Sequence, residues 1–141
     1  MKLLIPILMI FHQIAFAGVG GLKENKFRIT GYVSGAVSAL SPDEAKEKLE
    51  KGLTITLDKY IAHGINIQDP KYKIKRIESE MDFFDDFRIS YKRLKADSEI
   101  VSICSVQTSE GKTLEGYGSE FIILSDRRIA ILWDGLFIIY E

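Results

Sequence analysis

The segment RIAILWDGLFIIY, residues 128–140, decides the fold because two apolar runs flank a dipeptide that favours a tight turn. Asp134-Gly135 predicts a two-residue hairpin turn, since both residues tolerate the positive φ that such a turn requires. That turn pairs Trp133 with Leu136. Alternation along the two strands then places further apolar side chains on the same face, namely Ile129, Ile131, Ile138 and Tyr140.

The opposite face of this hairpin is apolar as well, with Ala130, Leu132, Phe137 and Ile139. A sheet that is apolar on both faces must be covered on both. A helix can cover one face, and the other must meet another part of the sheet, a ligand or a second chain. We therefore take Trp133 and Phe137 as candidate binding residues and count a homodimer among the possible partners.

Residues 1–17 have the three parts of a secretory signal. Lys2 supplies a positive charge, residues 3–11 are apolar, and Ala15-Phe16-Ala17 has small residues where signal peptidase reads the chain. A membrane span needs about 20 consecutive apolar residues, and His12-Gln13 interrupts the run before that length. The sequence predicts a signal peptide at 1–17, a flexible mature start at 18–25 and a single domain at 26–141. We expect a periplasmic or secreted protein, soluble and without a transmembrane segment after cleavage.

Composition excludes several classes of function. The 141 residues include 19 basic and 20 acidic side chains, giving a formal net charge of −1. A nucleic-acid binder normally carries a basic excess on one face, so this balance argues against one. One cysteine and two histidines are too few for a Cys/His zinc site, and a lone cysteine cannot form an internal disulfide. We expect neither a metal nor a cofactor.

Ser41-Pro42-Asp43-Glu44 is the strongest helix signal, because Ser41 and Glu44 form a capping box and Pro42 suits the first helical position. Apolar residues then recur every four positions, at Ala45, Leu49, Leu53, Leu57 and Ile61. This spacing predicts one main helix over 42–63, ended by Gly64. The alternative is a break at Gly52 followed by a strand over 53–57, since that stretch also alternates.

The remaining residues read mainly as strands. Phe27, Ile29 and Tyr32-Val33 indicate a short strand before Ser34. Residues 69–95 fit two patterns: we favour a strand, a turn over 81–86 and another strand, and the alternative is a second helix starting at Asp69-Pro70. Further strands are expected at 100–106, 112–124, 128–133 and 136–140. The predicted fold class is α+β, with one main N-terminal helix packed on an antiparallel β-meander.

One helix followed by a long meander resembles the ketosteroid-isomerase-like, or nuclear-transport-factor-like, superfamily. The resemblance covers residues 98–135: a strand at 100–106, Gly116, the run 121–124, and a turn leading into the strand at 128–133. It departs at 136–140, which reads as an added strand, and no catalytic residue of the family carries over by position. The resemblance implies a cone-like roll, a curved sheet around an apolar pocket that Trp133 would line or floor.

The sequence contains no clear set of catalytic residues. Cys104 and His63 could form a thiolate pair, but Cys104 lies in an apolar strand, where a small buried side chain is the more common reading. A tyrosine and an aspartate inside the cone could support acid-base chemistry, as in isomerases of the resembling superfamily. The alternative function is therefore a cone-pocket isomerase, lyase or hydrolase.

A cluster of five acids at 78–86 lies between two basic runs, with Phe83-Phe84 at its centre and Asp85-Asp86 beside them. Its spacing is not that of a calcium loop, and a solvated charged turn is the simplest explanation. A charged stripe around an aromatic pair can also steer and anchor a protein partner. We therefore predict an exported, non-catalytic binding protein, which engages a protein in the manner of inhibitors and immunity proteins, or a small apolar ligand.

Overall fold

A computed structural model describes residues 26–49, 52–96 and 101–141 of the chain. The predicted signal peptide at 1–17 and the predicted flexible start at 18–25 lie outside the described residues. Within the described part, no helix is both long and apolar enough to cross a membrane.

The described residues contain one antiparallel sheet of nine strands. The strands are β1 (Lys26–Ser34), β2 (Gly52–Ile55), β3 (Lys59–Ala62), β4 (Ile65–Gln68), β5 (Lys71–Ile77), β6 (Val101–Gln107), β7 (Glu120–Ile123), β8 (Ile129–Trp133) and β9 (Leu136–Tyr140). Their order across the sheet is β4-β3-β2-β1-β9-β8-β7-β6-β5. The sheet curls into a half-barrel. Strand β1, at the start of the described chain, lies between β2 and the last strand, β9.

Strand β1 joins the two parts of the half-barrel. Its residues 26–28 pair with β2, and its residues 29–34 pair with β9. Ile29 lies opposite Tyr140 and Gly31 lies opposite Ile139, so Thr30 is an extra residue that forms a β-bulge. A bulge bends the strand and increases its local twist.

The predicted main helix over 42–63 is wrong, and the alternative break near Gly52 is confirmed. Helix α1 covers only Pro42–Lys48, where the capping box is present and Ser41 accepts a hydrogen bond from the Glu44 N–H. The chain then forms β2, β3 and β4. The buried side chains are Leu53 and Ile55 of β2 and Tyr60 and Ala62 of β3, which alternate as strand residues do, whereas Leu57 lies between the strands and is 43% exposed.

The segment 69–95 also differs from its prediction. The strand at its start is confirmed as β5, but the predicted turn over 81–86 is a helix, α2 (Glu80–Phe87). The residues expected to form the next strand instead lead into a 3-10 helix at Tyr91–Leu94. Helix α2 forms because Ser79 caps it, accepting a hydrogen bond from the Asp82 N–H, and because Phe83 and Phe87 lie on one face.

The C-terminal strands follow the predicted pattern, with one exception. Strand β8 pairs with β9 in the predicted register, from Trp133 opposite Leu136 to Ile129 opposite Tyr140. The strand expected at 112–124 is shorter, because β7 covers only Glu120–Ile123. Gly116 and Gly118 have positive φ in the irregular segment that precedes it.

The chain itself covers most of both faces of the β8–β9 hairpin, although Leu132 on the outer face remains 40% exposed. On the inner face, Ile131 and Ile138 belong to a buried cluster with Ala45 of α1 and Tyr60 of β3. On the outer face, Phe137 belongs to a second cluster, which also contains Phe83, Tyr91 and Leu94. The inner face is covered by another part of the sheet, which is one of the coverings expected from the sequence. The outer face is covered by α2 and the 3-10 helix.

Candidate functional site

The six residues selected from the sequence occupy different environments. Phe83 and Phe137 are fully buried in the outer cluster. Trp133 is half-buried, with its ring 5.3 Å from that of Tyr117. Phe84, Asp85 and Asp86 are exposed. The structure therefore brings together only the last three as a surface that a partner can contact.

Helix α2 separates its aromatic residues between the core and the surface. Phe83 packs at 4.6 Å from Phe87, and Phe87 packs at 6.2 Å from Phe137, both as ring-centroid distances. These contacts orient the helix and hold Phe84 outward, where it is 47% exposed. Met81, one turn earlier, is 73% exposed and lies next to Phe84 on the helix surface.

Acidic side chains surround this apolar pair. Glu80 accepts a hydrogen bond from the Ser90 hydroxyl at 2.6 Å, and its carboxylate lies 3.8 Å from the Lys92 ammonium group. Asp82, Asp85 and Asp86 are also exposed. Among the described residues, none of these three aspartates forms an ion pair. We call Met81, Phe84, Asp82, Asp85 and Asp86 the α2 surface.

Sequence reasoning missed Met81. Ser79 and Asp82 have the S-x-x-D spacing that is typical of a helix start. That signal would have predicted α2, and with it the proximity of Met81 and Phe84 at i and i+3. The alternation of Phe87, Ile89 and Tyr91 favoured a strand instead, and it concealed the helix.

A group of tyrosines occupies the inner face of the half-barrel. Tyr60 donates a hydrogen bond of 2.5 Å to the Gly118 carbonyl and stacks on Phe121 at 6.0 Å. Tyr72 donates to the Thr56 carbonyl at 2.6 Å, and the hydroxyls of Tyr117 and Tyr140 share a hydrogen bond. Burial raises the pKa of all four phenols. Each hydroxyl is thus already engaged within the chain.

The Cys104 thiol is not activated. It is fully buried in β6, and burial, with a smaller contribution from Glu120, raises its pKa to about 12. The thiolate is the nucleophilic form of cysteine, so a raised pKa disfavours nucleophilic chemistry. His63 is half-buried, and its ring lies 6.4 Å from that of Tyr117.

We expect the protein to lose stability at alkaline pH. The folded state keeps these phenols and the thiol protonated, whereas the unfolded chain ionises them near their ordinary values of about 9 for cysteine and about 10 for tyrosine. The unfolded state then binds fewer protons, so the free energy of unfolding falls as the pH rises through this range. Urea denaturation between about pH 8 and about pH 11 measures the decline.

Tyr60→Phe provides the control for this prediction, because it removes one buried phenol and keeps the ring. Its stability should fall less steeply with pH than that of the unaltered protein. A free energy of unfolding that stays level or rises above about pH 9 would contradict the interpretation.

Among the described residues, no group of three or more His, Cys, Asp or Glu side chains could hold a metal ion. The acidic residues of the α2 surface extend along a helix instead of converging on one point. Searches of the chain against protein-family models, curated proteins and solved structures found no match.

Proposed function

We propose that this protein is an exported, non-catalytic binding protein and that its α2 surface engages a protein partner. The observation that carries this proposal is the exposed pair Met81 and Phe84 with three aspartates beside it. Export rests on the signal-peptide pattern of residues 1–17.

The exposure of Phe84 supports the role of an anchor. Aromatic side chains dominate binding energies when they enter a pocket on the partner and lose their contact with water. Phe83 and Phe87 fix the helix beneath Phe84, so little further ordering of the backbone is needed on binding. A preorganised aromatic side chain of this kind favours binding because the entropy loss is small.

Charge favours a particular kind of partner. Asp82, Asp85 and Asp86 place negative charge beside the apolar pair on the same helix, and a basic surface would complement it. The partner that fits best is a protein with an apolar pocket bordered by Lys and Arg. Such charges accelerate association, and the effect weakens as salt is added.

The covering of the β8–β9 hairpin favours a protein partner over a small apolar ligand. Both apolar faces of that hairpin pack mainly against residues of the same chain, and Leu132 is the apolar side chain of the hairpin that remains exposed. The hairpin therefore provides no separate argument for a ligand or for a homodimer. The exposed apolar pair on α2, Met81 and Phe84, still supports binding to a protein partner.

Replacing both anchors, as Met81→Ser with Phe84→Ser, should weaken partner binding by at least about 30-fold, since loss of a hot-spot residue costs about 2 kcal/mol or more. Binding is measured by capture from cell-envelope extract on immobilised protein, followed by mass spectrometry. Any protein captured is then purified and titrated against each variant. Circular dichroism should show an unchanged fold, because both side chains are exposed.

Val37→Ser is the matched control, because Val37 is 85% exposed and lies outside α2. The control should bind as well as the unaltered protein, and Asp85→Asn with Asp86→Asn should slow association mainly at low salt. The proposal fails if nothing is captured. It also fails if the doubly substituted α2 variant captures the same protein with the same affinity.

A further inference from the structure

A cleft of about 430 Å³ lies beside the β-bulge at Thr30, on one side of β1. The cleft lies between β1, the C-terminal end of the 3-10 helix and the ends of β8 and β9. We call it the bulge cleft and define it by the lining residues Thr30, Tyr32, Arg93, Lys95, Arg128 and Glu141. Bulges of this kind often occur beside functional sites, where they redirect side chains and end strand pairing.

The guanidinium of Arg128 is held rigidly at the cleft wall. Its Nη1 donates to the Lys95 carbonyl at 2.8 Å, and its Nη2 donates to the Leu94 carbonyl at 3.1 Å. Its Nε lies 3.0 Å from the Glu141 carboxylate. The ion pair with Glu141 offsets the charge of Arg128, so Arg128 shapes the cleft wall and the net positive charge must come from the other two cations of the lining.

Arg93 and Lys95 give the cleft an excess of positive charge. Arg93 donates from Nη2 to the Ser34 carbonyl at 3.1 Å, which positions its planar group at the edge of the cleft. Lys95 has a left-handed backbone with φ of 57° and ends the 3-10 helix at this position. Among the side chains of the described lining residues there are three cations and one carboxylate, that of Glu141.

The other side of the bulge is basic too. A second cleft of about 360 Å³ is lined there by Arg28 and Lys46 and by the apolar residues Ile29 and Leu49. Its described lining contains no carboxylate. Five cationic side chains and one side-chain carboxylate thus line the two clefts among the described residues, in a chain whose 19 basic and 20 acidic side chains are nearly balanced. If basic and acidic side chains were distributed at random over the surface, such an excess of basic side chains in one place would not be expected.

We propose that the bulge cleft binds a small molecule that carries an oxyanion, a carboxylate or a phosphate. Arginine presents paired N–H groups that match the oxygens of both anions, and lysine adds a point charge. The volume of the cleft lies within the usual range of small-molecule sites, which is about 300–1,000 Å³. This site is separate from the α2 surface and does not depend on the protein partner proposed above.

Titration with inorganic phosphate and with citrate, each at constant ionic strength, tests the proposal by NMR. Saturable shifts of the backbone amides of Thr30 to Val33 are expected with at least one of the two anions. Saturation by phosphate alone identifies a phosphate site, and saturation by citrate alone identifies a carboxylate site.

Arg93→Gln with Lys95→Gln should weaken this binding by at least about 10-fold, because charge-assisted hydrogen bonds to an anion are the strong ones. The matched control is Lys73→Gln with Lys75→Gln, which removes the same charge from two exposed positions of β5. The control should bind with unchanged affinity. Lys95→Gln alone, which leaves the Arg93 hydrogen bond to Ser34 in place, should give an intermediate loss if the double variant does not fold.

Absence of saturable shifts with both anions would overturn the proposal. So would unchanged affinity in the Arg93→Gln, Lys95→Gln variant. Equal weakening in this variant and in the β5 control would also overturn it, because that result would reflect the net charge of the protein and not a site.

Discussion

Replacing Phe137 with Ala should lower the free energy of unfolding by about 3–5 kcal/mol, the range for a large aromatic residue removed from a core. Phe137 is 0% exposed, packs against Phe87 and belongs to the cluster that joins α2 to the hairpin. Truncation leaves a cavity beneath α2 that the surrounding strands cannot fill. Urea denaturation at neutral pH measures the change.

The register partner of Phe137 provides the matched control. Leu132 lies directly opposite Phe137 in the hairpin but is 40% exposed. Leu132→Ala should therefore cost less than about 1.5 kcal/mol, since less apolar surface returns to water. If Phe137→Ala changed stability no more than Leu132→Ala, Phe137 would be a surface residue and the outer core would be assigned incorrectly. The same result would restore Phe137 as a candidate for direct contact with a partner.

Gly135→Ala should destabilise the protein by about 3 kcal/mol, combining the cost of a left-handed backbone with that of an overpacked site. Gly135 has φ of 82° in the hairpin turn, and a Cβ there would lie 1.9 Å from the Val37 carbonyl oxygen. Two hydrogen bonds join the loop at 35–39 to this turn. The Gly35 N–H donates to the Gly135 carbonyl, and the Ala39 N–H donates to the Asp134 carbonyl. The added methyl group forces that loop away from the turn. Thermal and urea denaturation both measure the loss.

Gly111→Ala separates the two causes. Gly111 has nearly the same φ, 84°, but no atom lies within 4 Å of the position its Cβ would take. This variant should show only the conformational cost of about 1–2 kcal/mol. Equal losses at Gly111 and Gly135 would mean that the loop at 35–39 does not press on the turn.

Local signals in the sequence were reliable where one short-range interaction dominates. Ser41 and Glu44 predict a capping box, and both of its hydrogen bonds are present. Asp134-Gly135 predicts the hairpin turn, and the pairing of β8 with β9 follows from it residue by residue. In both cases the interacting groups are within a few residues of each other, so the chemistry of the segment is sufficient to specify the structure.

Periodicity failed where two structures share one pattern. Residues 53–57 fit a helix by the four-residue spacing of Leu53 and Leu57 and a strand by their alternation, and contacts with the rest of the sheet selected the strand. Tyr60, for example, is buried because its ring meets Phe121 and its hydroxyl reaches Gly118, both about 60 residues later. A window of sequence contains no information about such partners.

The candidate site also combines a feature that the sequence predicts with one that depends on the folded structure. Alternation around Phe87 favours a strand, which would leave Phe83 and Phe84 side by side in the turn before it. In helix α2 they point in different directions: Phe83 enters the core and Phe84 faces water. The acidic character of the segment was predicted from the sequence, but the choice of anchor depended on the helix.

The sequence by itself determined the cap of α1, the turn and register of the β8–β9 hairpin, and the need to cover both faces of that hairpin. Only the tertiary structure decided what covers them: the curled sheet with α1 on one face, and α2 with the 3-10 helix on the other. It also placed β1 beside β9, which created the bulge at Thr30 and gathered cations from distant segments around it. The physical reason is range, because capping and turn preferences act within a few residues, whereas burial and strand pairing join residues about 100 positions apart.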